Sequence, residues 1–114
     1  MNEIDSENIE HLDDDIDSLN NRALIRRFFE AVKKRKRSVC FKIIGRARDL
    51  DPGEADYLEA VAHYYDSNYD NSIRFCLKVR EDYADYGTAT ALLLECYAAQ
   101  GDIINIIECI SKNK

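Results

Sequence analysis

The chain has no tryptophan, one proline and only four glycines in 114 residues. A sandwich or barrel built from many short strands needs turn formers far more often than that. No apolar run approaches the roughly 18–20 residues of a membrane span. The opening MNEIDSENIE lacks both the basic start and the apolar stretch of a secretory leader. The expectation is therefore a cytoplasmic chain that does not enter a membrane. Cys40, Cys76, Cys96 and Cys109 include no CxxC pair and fall inside apolar stripes. They are expected to be buried, reduced thiols rather than disulfides or zinc ligands. Enzyme chemistry also lacks an inventory. His11 and His63 have no Cys, Ser or Asp at a spacing that suggests a triad or metal site, and no glycine-rich phosphate loop occurs. Asp13, Asp14 and Asp15 lack the Gly and distal Glu of a calcium loop. No catalytic residue, cofactor or metal is expected.

What is abundant is charge, and it is partitioned. The net charge of −6 conceals a first segment, residues 1–20, with eight acids and no Lys or Arg. Residues 21–48 carry eleven bases against Glu30, and residues 49–114 return to thirteen acids against five bases. Such asymmetry points to partners better than the overall isoelectric point does.

The apolar residues recur at helical spacing almost throughout. Ile9, Leu12, Ile16 and Leu19 make a narrow seam that predicts either a short N-terminal helix or an acidic tail over residues 1–20. A stronger helix follows from Asn20 or Asn21 to about Lys34, with Leu24, Phe28, Ala31 and Val32 inward and Ile25 and Phe29 close by. Residues 33–37 form a basic bend. Ser38 is placed to cap a second helix through about Leu50, whose apolar face is Val39, Cys40, Ile43, Ile44 and Ala47. Pro52 separates it from a third, over residues 55–65, that packs through Leu58, Val61, Ala62 and Tyr65. A fourth carries Tyr69, Ile73, Cys76 and Leu77 inward, and residues 82–87 connect it to the fifth. Residues 90–99, with Leu93, Leu94 and Tyr97, and a last helix with Ile103, Ile106, Ile107 and Ile110 close the chain around Gly101. No strand is required.

The last unit answers to one 34 residues earlier, and a period of that length in paired helices marks a helical repeat. Asp49-Leu50-Asp51-Pro52-Gly53 resembles the inter-repeat turn of the tetratricopeptide repeat family. Cys40, Ile44 and Ala47, then Ser72, Cys76 and Val79, then Ile106 and Ile110, fall at its second-helix positions. Leu24, Phe28 and Ala31 align with Leu58, Ala62 and Tyr65, and with Thr90, Leu94 and Tyr97. The resemblance covers about residues 21–110. Phe28 and Leu94 stand where the family has a small residue, Arg27 stands where it has Leu, and the middle copy is read as two residues short in its internal turn. Residues 90–110 are also similar to pentatricopeptide repeats, the second choice. The resemblance implies an all-α fold of about three stacked antiparallel hairpins, an α-solenoid, over residues 21–54, 55–86 and 87–114.

Such a fold implies a non-enzymatic protein–protein interaction module, a small subunit or adaptor. Its first helices would offer Arg22, Arg26, Glu30, Asp56, Glu59, His63 and Glu95 to a groove. The basic segment supplies a candidate binding patch of Arg22, Arg26, Lys33, Lys34, Arg35, Lys36, Arg37, Lys42 and Arg46. That patch fits an acidic protein, an RNA or ribosomal phosphate backbone, or nuclear import through KKRKR; plain solvation is the competing reading. The final helix offers Ile103, Ile104 and Ile107 as an apolar face for a partner protein or a second copy.

Overall fold

The structure is a computed structural model that describes residues 15–82 and 87–112. Among the described residues, a 3-10 turn, Ile16–Ser18, is followed by six α-helices: α1 Asn21–Lys33, α2 Arg37–Leu50, α3 Pro52–Tyr65, α4 Tyr69–Asp82, α5 Gly87–Gln100 and α6 Ile103–Lys112. No strand occurs among the described residues. The fold is all-α and built of helix hairpins. Of the expected N-terminal seam, Ile9 and Leu12 lie outside the described residues. Ile16 is buried in the 3-10 turn, and Asp15 before it adopts a left-handed φ of 60°.

The helix starts follow from local chemistry. Asn20 Oδ1 accepts the Ala23 N–H at 2.9 Å, which satisfies one of the donors a helix start leaves open. Asp51 Oδ1 accepts the Glu54 N–H at 3.2 Å. Pro52 then occupies the first position of α3, where its missing N–H costs nothing, so this helix begins three residues earlier than periodicity suggested. Asp102 Oδ1 does the same for Asn105 N–H at 3.2 Å. Ser38 does not cap α2, which begins at Arg37 after an uncapped Lys36.

The three hairpin turns are one motif repeated. Arg35, Ser67 and Gly101 each adopt positive φ, at 57°, 60° and 69°. The N–H of the following residue, Lys36, Asn68 or Asp102, bonds back to the carbonyl of Ala31, His63 or Tyr97 at 2.9, 2.8 and 2.9 Å. The N–H of Arg35, Ser67 and Gly101 themselves bonds to Val32, Tyr64 and Ala98 at 3.0, 3.0 and 3.1 Å. This double closure consumes carbonyls that a helix end leaves unsatisfied. The middle turn is therefore no shorter than the first, contrary to expectation. The irregular spacing lies between hairpins: Asp51 alone separates α2 from α3, whereas four residues separate α4 from α5.

The chain divides into two compact units, residues 1–58 and 59–114, with α3 contributing to both. In the first unit Leu24, Phe28 and Ala31 of α1 and Val39, Cys40, Ile43, Ile44 and Ala47 of α2 are buried, as are Ala55 and Leu58. Phe29 is 37% exposed, so the core does not claim it. In the second unit Ala60, Cys76, Leu93 and Cys109 form one cluster, with Ile73, Phe75, Leu92, Leu94 and Tyr97 packed around it. Val61 and Ala62 are buried as expected, but Tyr65 and Leu77 are exposed. Ser72 and Val79 are buried on α4, with Cys76 between them. Burial on this face does not follow the size of the side chains.

Candidate interaction surfaces

Two surfaces gather the residues singled out by sequence. The first is on α1. Leu24, Phe28 and Ala31 turn inward, so helical geometry sends Arg22, Arg26, Phe29 and Lys33 to the opposite face, and all four are exposed. Their 4-3-4 spacing draws a straight line along the helix, about 17 Å long at 1.5 Å per residue. Phe29 meets Phe28 edge to face, with ring centroids 5.2 Å apart. Glu30 is exposed beside the line.

The remaining basic candidates spread over several faces. Lys33 and Lys34 end α1, where positive charge suits the helix dipole. Arg35 and Lys36 make the turn, and both are exposed. Arg37 opens α2, an unfavourable place for a cation, but its guanidinium lies 5.4 Å from the centroid of the Phe41 ring. Lys42 is exposed on the outer side of α2, while Arg46 is half-buried with a buried Nε that has no hydrogen-bond partner. The nine residues thus do not make one continuous patch.

The groove expected from the first helices is largely spent internally. Asp56 is buried, where an outward side chain was expected, and its Oδ1 accepts from Arg48 at 2.9 Å. Glu59 lies 3.8 Å from His63 Nε2 one turn on, and the His63 ring stacks on Phe75 at 5.7 Å. Glu95 accepts the Tyr64 hydroxyl at 3.2 Å. Burial, and then this carboxylate, push the Tyr64 hydroxyl above its usual pKa. The short side chain of Asp56 near a helix start gave no sequence signal of burial; its partner Arg48, eight residues earlier, was the available clue.

The second surface is α6. Cys109 faces the cluster at 5% exposure, and Arg80 Nη1 donates to its sulfur at 3.3 Å. Ile103, Ile104, Ile107 and Ile110 remain 66%, 74%, 59% and 52% exposed. The stripe of Ile103, Ile106, Ile107 and Ile110 does not turn inward as a unit: Ile106 is half-buried and Cys109 buried, while Ile103, Ile104 and Ile107, the candidate outward face, are exposed together with Ile110. An almost all-apolar helix reads equally well in several rotations; in the one observed, Cys109 joins the buried cluster and lies against Arg80.

All four cysteines are buried and free. Burial, reinforced by the neighbouring Cys96, pushes the Cys76 thiol up to about 12. Among the described residues, no group of three His, Cys, Asp or Glu side chains is arranged to hold a metal. No described helix is long and apolar enough to cross a membrane. No family model, curated protein or solved structure matches the chain.

Proposed function

We propose that this chain is a non-enzymatic protein–protein interaction module, a small cytoplasmic subunit or adaptor, that assembles through α6. The observation that carries the reading is the uncovered isoleucine face of that helix. Four side chains each more than half exposed form a contiguous apolar patch on one helix, a feature that is often functional. Ile103, Ile107 and Ile110 follow the 4-3 spacing of a helix-pairing seam.

The occupant we assign is the same face of a second copy. The seam is self-complementary in chemistry, and Glu108 is the only charge between Ile103 and Ile110, so two copies meet with little like-charge repulsion. Joining them would cover the isoleucine face of both copies; with its rim, such a contact must reach the ~1,000 Å² at which specific interfaces begin. Light scattering coupled to size exclusion, across a range of concentrations, tests this. The wild type is expected to dimerise reversibly, and Ile104→Asp or Ile107→Asp to give monomers of unchanged helicity. A wild type that stays monomeric, or a dimer that survives both substitutions, overturns the assignment.

A further inference from the structure

We infer that the exposed line Arg22–Arg26–Phe29–Lys33 on α1 is a binding strip for single-stranded nucleic acid, with the three cations on phosphates and the Phe29 ring under a base. The first support is that, among the described residues, these cations are unspent. Arg48 is paired with Asp56, and Arg80 with the Cys109 sulfur. No described residue pairs with Arg22, Arg26 or Lys33, nor with Arg35 and Lys36 at the end of the line. Positive charge held at fixed spacing along one helix face is the electrostatic footprint of a polyanion site.

The second support is the ring. Phe29 adjoins a fully buried Phe28, yet 37% of it stays in solvent. It sits between Arg26 and Lys33 along one face, and edge contact with Phe28 fixes its orientation. An aromatic among cations serves a strand that alternates phosphates with flat bases. An acidic protein has no need of the ring. An anionic membrane needs a wider apolar wedge than α1 retains, because Leu24, Phe28 and Ala31 are consumed by the core. With no side-chain amide on the line, sequence preference is expected to be weak.

Fluorescence anisotropy of the full-length chain with a labelled single-stranded oligouridylate tests the strip. Three phosphate contacts should weaken binding about 20-fold between 50 and 200 mM salt. Arg22→Gln/Arg26→Gln/Lys33→Gln is expected to lose at least tenfold in affinity and to flatten the salt dependence. Phe29→Leu keeps an apolar side chain; it should weaken binding about fivefold or more while leaving the salt dependence unchanged. Poly-glutamate and vesicles rich in anionic lipid are the comparison ligands. Absence of binding at 50 mM salt, equal binding of either comparison ligand, or indifference to both variants overturns the proposal. The variants leave α6 untouched, so this result is independent of dimerisation.

Discussion

The hydroxyl of Ser72 on α4 donates a 2.7 Å hydrogen bond to the carbonyl oxygen of Ala60 on α3. The same oxygen of Ser72 receives the Cys96 thiol from α5 at 3.3 Å. Three helices thus meet at one fully buried hydroxyl. Ser72→Ala removes the link without adding volume and is expected to cost about 1 kcal/mol in urea denaturation. Ser72→Val should cost more, since it also forces methyl groups into a packed site. If Ser72→Ala proves neutral, the bond contributes nothing net to the second unit.

Leu93 occupies the centre of the same cluster, beside Ala60, Cys76 and Cys109. Leu93→Ala is expected to lose about 2–5 kcal/mol, because its small neighbours cannot collapse into the space. Equilibrium unfolding measures this directly. A loss below about 1 kcal/mol would mean that α5 is rotated from the position described.

The turns give a prediction of opposite sign. Ser67 pays the steric cost of left-handed backbone at the place where Gly101 does not. Ser67→Gly should stabilise by a few tenths to about 1 kcal/mol, the gain being partly offset by the freer unfolded chain. Gly101→Ala should destabilise by about 1 kcal/mol. Thermal melts of the two variants should shift in opposite directions.

Alkaline stability depends on Cys76. Its folded thiol titrates at about 12 instead of 9, chiefly because burial disfavours the thiolate. A raised folded value means that the contribution is complete below pH 9 and is lost as pH rises toward 12. Cys96 and Tyr97 are raised mainly by burial as well and add to the same trend. Urea midpoints measured from neutral to alkaline pH should hold steady and then fall, and Cys76→Ala should fall less steeply. Equal slopes would assign the loss to other groups.

Much of the fold was legible because helical periodicity and caps are local. The buried faces of α1 and α2 follow from residue spacing alone, whereas spacing placed only Cys76 correctly among the fully buried residues of α4. Rotation of α6 was not legible, since five isoleucines and a cysteine leave the helix no unique inner face. Tyr65 and Leu77 were misplaced for a related reason: size suggested burial, while small residues such as Ala62 and Ser72 fit the close helix approach. The α1 strip was half legible. Its charges stood out, but that Phe29 joins them depends on how much room Phe28 leaves in the core.

The repeated turn has a kinetic consequence. Each closure joins residues only three and five positions apart, so a hairpin can form without first ordering a long loop. Contacts of such short range give fast folding and let each hairpin close soon after it emerges during synthesis. The N-terminal hairpin can therefore close before α6 has been made. The isoleucine face is made after the hairpins that precede it, so they can already be closed when it appears.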